Sequence, residues 1–324
     1  MTSTLRSLTL LGAVMAAACG RTEQASSPPP SATASTTPST VASTVSSAAA
    51  STDAAYRAGI EQFRHELETR LTSDTGWLTI AGLSFLTKPE TTFGSDAAND
   101  IVLPGNTPPR VGTIVLAKNG QVSVTLQPRM QVKLLDGKPF HGGAIKSDGQ
   151  GPPDRLVLGD VQLWVHQSGD RPAVRIRDKN NALRKTFTGR QWYPVDEAYR
   201  VEATFVPYDK PKEVEIPNLL GDIDKMTTPG EVTFTLNGKA HRMMAVIDDD
   251  ELWFIFRDRT SGETTYKAAR FLYTPMPKDG KVVLDFNRAE NPPCAFNPFA
   301  TCPLPPQENR LQVRVEAGEK VQPH

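Results

Sequence analysis

The stretch Val232-Thr-Phe-Thr-Leu-Asn-Gly-Lys-Ala-His-Arg-Met-Met-Ala-Val-Ile-Asp-Asp-Asp-Glu-Leu-Trp-Phe-Ile-Phe256 decides the fold. Val232 to Leu236 has the β-branched and aromatic residues of a strand, and Asn237-Gly238 closes it, since these residues tolerate the positive φ that a tight hairpin turn requires. The chain returns through His241 to Ile247, turns at Asp248-Asp-Asp250 and enters the apolar run Leu252–Phe256. Successive strands joined by such short turns pair antiparallel. The three aspartates suggest a cation site, but adjacent carboxylates on one turn cannot all face one ion. They read as a solvated turn.

The same grammar holds on either side. Asn119-Gly120 separates Gly112-Thr-Ile-Val-Leu-Ala117 from Gln121-Val-Ser-Val-Thr-Leu126, and Gly159–Val165 with Ala173–Arg177 makes a further strand pair. Helical spacing occurs once, over Ala54–Leu71, where Ile60, Phe63, Leu67 and Leu71 recur at three-to-four intervals with Arg64 and Glu68 opposite. Asp53 is placed to be its N-cap. The apolar run Trp77–Leu86 follows, with Gly82 permitting close backbone approach. The expected fold is mainly β (α+β): antiparallel sheets in sandwich or barrel-like modules, with an N-terminal helix. A boundary near Asp178–Ala182 divides residues 53–178, a helix plus β module, from residues 179–324, a β module carrying a Pro/Cys loop.

Ahead of this lies an export signal. Arg6 precedes the apolar run Leu8–Ala18, too short to span a bilayer as a helix. Ala16-Ala17-Ala18-Cys19-Gly20 resembles the lipobox of bacterial lipoproteins, which implies a signal peptide over 1–18 and lipidation at Cys19. An ordinary secretory signal, with Cys19 incidental, is the alternative. Gly20 stands where an inner-membrane retention signal has Asp, so the expected destination is the outer membrane, facing the periplasm. Residues 19–52 are rich in Ser, Thr, Pro and Ala and read as a disordered tether. The 36 basic residues balance 36 acidic ones, leaving no basic field for nucleic acid.

The C-terminal block Asp285-Phe-Asn-Arg-Ala-Glu-Asn-Pro-Pro-Cys-Ala-Phe-Asn-Pro-Phe-Ala-Thr-Cys-Pro-Leu-Pro-Pro-Gln-Glu-Asn309 is neither helix nor central strand, because six prolines between Pro292 and Pro306 each fix φ and remove a donor. Interleaved Phe286, Phe296 and Phe299 favour an ordered loop. With Cys19 set aside, Cys294 and Cys302 are an even pair in an oxidising compartment, and a structural disulfide is the simplest reading. A zinc site lacks nearby histidine, and the spacing is not that of a redox Cys-x-x-Cys motif.

Asp258, Tyr266, Arg270, Asn287, Asn291 and Asn309 are candidate ligand-binding residues, and Asp285, Glu308 and His166 candidate catalytic ones. Arg270 could clamp an anion, and Asp285 with Glu308 could act as acid and base. The alternative is that these side chains cap turns and satisfy carbonyls stranded by proline. His166, beside Trp164 on a strand, is the histidine to substitute first, although a strand histidine is more often a structural hydrogen-bonder than a base. Gly-x-Ser-x-Gly, His-Glu-x-x-His and the glycine fingerprints of nucleotide sites do not occur, so no metal or cofactor is expected.

Two resemblances follow. Phe93-Gly-Ser-Asp-Ala-Ala-Asn-Asp-Ile-Val-Leu103 resembles the opening of forkhead-associated domains, but Ser95 replaces their arginine and no Ser-x-x-His follows, so phosphothreonine recognition is not implied. Trp77-Leu-x-x-Ala-Gly-Leu83, Phe93-Gly-Ser-Asp96, Phe187-Thr-Gly-x-x-Trp192-Tyr-Pro-Val-Asp196, Asp258-x-Thr-Ser-Gly262-x-x-Thr-Tyr266, Arg270-Phe-Leu272 and the cysteine block together resemble the bacterial family called domain of unknown function 1684. Lys267-Ala-Ala269 departs from the glycine-richer run expected before Arg270. Membership implies no activity. The expected function is a non-catalytic envelope lipoprotein whose β domain binds a small polar molecule, glycan or protein partner. The alternative is a cofactor-free hydrolase using Asp285 and Glu308.

Overall fold

The structure is a computed structural model of the chain, describing residues 41–321, with side chains from residue 53. The segment expected to be a signal peptide (1–18) and Cys19 lie outside the described residues, as does the expected tether up to residue 40. Residues 50–324 cluster as one compact unit. No described helix is long and apolar enough to cross a membrane.

Helix α1 (Val41–Thr72) contains the 54–71 segment. Ile60, Leu67 and Leu71 are buried, as their spacing requires. Two details differ from the sequence reading. Asp53 lies within α1 rather than capping it, and its carboxylate accepts from Arg57 Nε at 2.8 Å. Arg64 is buried rather than outward, donating to the Tyr193 carbonyl at 2.9 Å and lying over the Trp192 ring. A long side chain can cover apolar surface and still place its head on a carbonyl.

The strands of the first half are β1 (Ile80–Phe85), β2 (Glu90–Gly94), β3 (Ile101–Val102), β4 (Gly112–Leu116), β5 (Val122–Leu126), β6 (Val132–Leu134), β7 (Pro139–Phe140), β8 (Gly143–Ile145), β9 (Leu156–Leu158), β10 (Val161–Ser168) and β11 (Arg171–Asp178). They form two sheets, ordered β1-β11-β10-β9-β6-β7 and β3-β2-β4-β5-β8. Phe93, Ile114 and Val124 of one share a core with Leu163, Val165, Val174 and Ile176 of the other. Only β2 and β3 pair parallel, around the loop that resembles the forkhead-associated opening. There Asp100 accepts from Thr92 and Lys88, which leaves the loop self-contained.

After the short helix α2 (Ala182–Thr186) come β12 (Arg200–Pro217), β13 (Ile223–Leu236), β14 (Lys239–Asp248), β15 (Glu251–Phe256), β16 (Arg270–Pro275) and β17 (Lys281–Asp285), in the order β16-β15-β14-β13-β12-β17. Every pairing here is antiparallel. Asn237 and Gly238 take φ of 51° and 73°, the left-handed values that an Asn-Gly hairpin turn needs, and Asp249 takes 49° in the aspartate turn. The fold is thus mainly antiparallel β with an N-terminal helix. Its sheets divide between Asp178 and Arg200.

β15 shows how this sheet sets up a site. Leu252, Phe254 and Phe256 point into one core with Val232, Phe234 and Met243. The alternate residues, Trp253 and Ile255, fall on the other face beside Phe271 and Tyr273. Residues 286–321 then pass over the sheet with almost no regular structure. They are tied by main-chain bonds such as Phe271 N to Glu290 O and back, Leu311 N to Arg257 O, and Arg259 N to Val313 O.

Candidate functional site

Most of the sequence candidates are structural. Arg270 is fully buried and cannot clamp a ligand: Nη1 donates to Asp258 Oδ2 at 2.8 Å and to the Val315 carbonyl at 3.0 Å, and Nη2 donates to the Ala317 carbonyl. Asp258 is fully engaged, its Oδ1 accepting from Thr260 N and Oγ1 at 2.7 and 2.6 Å. Asn309 donates to the carbonyls of Met244 and Ile255, both at 2.9 Å, and accepts from Met244 N at 2.7 Å. Asn287 bonds both polar groups of the Asp196 backbone. Asn297, which the sequence reading passed over, holds the carbonyls of Trp77 and Ile80. The stranded-carbonyl alternative is therefore what the fold uses.

Asp285 and Glu308 are not brought together as a pair. The Asp285 carboxylate accepts from the Tyr56 hydroxyl at 2.9 and 3.0 Å and from Asn287, which fastens α1 to the sheet. Burial first, and the charge of Asp285 next, raise the Tyr56 pKa well above that of a free phenol. Glu308 is exposed on the 3-10 turn Gln307–Asn309 and makes no side-chain hydrogen bond among the described residues. Tyr266 donates to the Cys294 carbonyl at 3.1 Å. Cys294 and Cys302 are unbridged thiols, with the Cys294 amide donating to Cys302 Sγ at 3.2 Å.

A cleft of about 1050 Å³ lies between α1, the outer face of β15–β16 and the Pro/Cys loop, and of the ligand-binding and catalytic candidates Asn291 alone is among its lining residues. Its floor is aromatic. Trp253 and Tyr273 are cross-strand partners, and their rings stack at 5.7 Å and 6°. Phe271, two residues along, meets Trp253 edge-on at 4.7 Å. The rim is polar, with Arg70, Arg190, Glu290 and Asn291 among the lining residues.

Several of these residues carry polar atoms that are buried and have no partner among the described residues: Arg190 Nε, Trp253 Nε1, Glu290 Oε2 and Asn291 Oδ1. Glu319 Oε1 is orphaned too, while Oε2 of the same carboxyl takes Arg190 Nη1 at 2.6 Å and the Asn291 amide at 2.8 Å. Each such orphan costs about 1–3 kcal/mol. A second group, Gln162 Oε1, Arg175 Nε and Arg177 Nη1, lies on the paired strands β10 and β11. A smaller hollow of about 720 Å³, lined by residues such as Asn119, Lys146 and Gln150, has none among its lining residues.

Burial pushes the Glu290 carboxyl up to about 6, with Arg190 and Arg70 pulling the other way. Glu290 as a residue is only partly buried, but its Oε2 is closed from solvent. Burial likewise pushes Glu319 up to about 7 against the pull of Arg190 and the Asn291 amide. A carboxyl that holds its proton to about 7 in the fold, against 4.5 when free, contributes stability below pH 4.5 that is lost as pH rises through 7. Urea unfolding should therefore show stability falling by on the order of 2–3 kcal/mol between about pH 5 and 8, at ~1.4 kcal/mol per pKa unit. Glu319→Gln should flatten that slope. A wild-type curve that is already flat would show Arg190 keeping Glu319 ionised throughout.

Sequence reasoning missed Arg190, Trp253, Tyr273 and Glu319 as site residues, although Glu290 and Asn291 stand inside the quoted C-terminal block. The one available signal was the alternation of β15, which sends Trp253 away from the core that takes Leu252 and Phe254.

A mainly β domain with an aromatic-floored, polar-rimmed cleft is the class that fold and site define. Residues 185–320 match the family described as protein of unknown function DUF1684, and the chain belongs to that family. An uncharacterised protein of Haloarcula marismortui, solved by solution NMR, is 31% identical over 42% of this chain and 78% of its own, with a TM-score of 0.37. No curated protein matches the chain.

Proposed function

We propose that this protein is a binding domain for a small polar ligand with a flat apolar face, a glycan fragment foremost, seated in the cleft over Trp253 and Tyr273. The observation that carries this is the stacked Trp253–Tyr273 floor of the cleft with Arg70, Arg190, Glu290 and Asn291 among its lining residues. A sugar has C–H faces that pack on an aromatic ring and hydroxyls that can both donate and accept. Its hydroxyls would donate to carboxylates and accept from guanidinium groups of the kind that Glu290, Arg70 and Arg190 bring to the rim. Docking of an envelope protein on the loop is less favoured, since Phe296, Phe299 and Leu304 are each half-buried rather than an exposed apolar cluster.

The test is a thermal-shift panel of neutral, amino and acidic mono- and disaccharides and muropeptides on the full chain. A stabilising sugar is expected, with its shift lost in Trp253→Ala and reduced in Glu290→Gln. A panel that shifts neither wild type nor variant, or shifts both alike, would remove the cleft as the site.

The proposal extends to location. An export signal ending before Cys19 would place the domain on a lipid anchor at the outer membrane, facing the periplasm, at the end of a Ser/Thr/Pro/Ala tether. In that compartment Cys294 and Cys302, already within one loop and 3.2 Å from amide to sulfur, would close as a disulfide. Mass analysis of the mature protein from cells should find lipidated Cys19 as its first residue and two hydrogens missing from the Cys294/Cys302 peptides. An intact, unlipidated N-terminus with two free thiols would contradict both.

A further inference from the structure

At one edge of the cleft, three elements distant in sequence bring together a carboxylate, an imidazole and a hydroxyl in line. Asp148, in the 3-10 turn Asp148–Gln150, places Oδ2 at 2.8 Å from Nδ1 of His166 on β10. His166 Nε2 lies 3.1 Å from Oγ1 of Thr301, in the Pro/Cys loop. Arg175 Nη2, from β11, lies 3.3 Å from the same Oγ1. Thr301 lines the cleft, whereas His166, only 12% exposed at its side chain, does not.

The proton positions follow from what each group can do. A carboxylate only accepts, so His166 Nδ1 carries the hydrogen and donates it to Asp148. That leaves Nε2 as an acceptor. Arg175 can only donate, so it uses a lone pair of Thr301 Oγ1 and leaves the threonine proton directed to His166 Nε2. Asp148 is itself fixed, since its other oxygen takes the Gln167 amide at 2.8 Å. The imidazole is held in one tautomer and orientation, with its free nitrogen on the hydroxyl of a residue that lines the cleft. This is the arrangement that activates a hydroxyl nucleophile.

We propose that Thr301 is a nucleophile for acyl transfer, with His166 as its base and Asp148 as the residue that positions His166, acting on carboxylic esters presented in the cleft. Thr301 Oγ1 bonds to the ester carbonyl carbon as its proton passes to His166 Nε2. The tetrahedral adduct then breaks its bond to the alkoxy oxygen, which leaves as the alcohol with the proton from His166. Water, deprotonated by His166, attacks the acyl-threonine, and the acid departs as the proton returns to Thr301. Bonds and protons balance with water as the sole co-reactant. Arg175 keeps a positive charge beside the reacting oxygen throughout. This inference goes beyond ligand binding and does not depend on the ligand being a sugar.

The probe is p-nitrophenyl acetate with the full chain, following p-nitrophenolate release, intact mass and the site of acetylation. Release by wild type should exceed that by Thr301→Val, a near-isosteric change, and should fall by about 100-fold or more in His166→Gln. Asp148→Asn should lower the rate in the same direction. Thr301→Ser should restore release, which a merely structural hydroxyl would not require. Wherever deacylation is the slower step, one acetyl group should map to Thr301. Wild type releasing no faster than Thr301→Val, or acetyl found only on lysines, would overturn the proposal. Should the valine variant fail to fold, wild type against Thr301→Ser and the mapped acetyl still decide.

Discussion

Arg270→Met is expected to destabilise the protein by about 3–5 kcal/mol, the loss seen when one partner of a buried ion pair is removed. The side chain is wholly enclosed, and its guanidinium holds Asp258 together with the carbonyls of Val315 and Ala317. Methionine would fill much of the space but leave a buried carboxylate facing apolar walls and two main-chain acceptors unpaired. Asp258→Asn in the Arg270→Met background should recover part of the loss by removing the stranded charge. Urea unfolding monitored by tryptophan fluorescence checks both. A loss below about 1 kcal/mol would mean that the pair contributes no more than a surface bridge.

Asn309→Ala should be nearly as costly, at about 3 kcal/mol or more from three stranded main-chain groups. One amide side chain joins β14 and β15 through Met244 N, Met244 O and Ile255 O. Its neighbour Glu308 is exposed, so Glu308→Ala should stay within about 0.5 kcal/mol of wild type. The contrast between adjacent positions separates a structural clamp from a site residue. If the two changes cost the same, the clamp reading fails.

The sheets were legible where local chemistry and burial agree. Asn237-Gly238 and Asn119-Gly120 announce their turns because only a few residues accept positive φ, and the strands around them alternate. β12 was not legible. Its stretch Lys210-Pro-Lys-Glu213 is exposed along the hairpin with β13, so no apolar face marks it as a strand. The helix was visible from spacing. Its buried Arg64 was not, because a guanidinium finds its carbonyl through tertiary contact. The C-terminal block announced order through its prolines and aromatic residues, but not the purpose of its asparagines. Composition alone cannot tell an amide that faces a ligand from one that faces a carbonyl. Glu319 and Trp253 needed the path of the chain over the sheet before they could be placed beside Glu290. The alignment of Asp148, His166 and Thr301 spans more than 150 positions of sequence and leaves no local pattern.

The most direct test of the central claim is a high-resolution crystal structure of the protein with the best-stabilising sugar from the panel. The ligand is expected over the Trp253–Tyr273 stack, with its hydroxyls toward the polar rim that includes Arg70, Arg190 and Glu290. A sugar bound elsewhere, with the Trp253–Tyr273 stack left uncovered, would contradict the assignment of the cleft as a binding site.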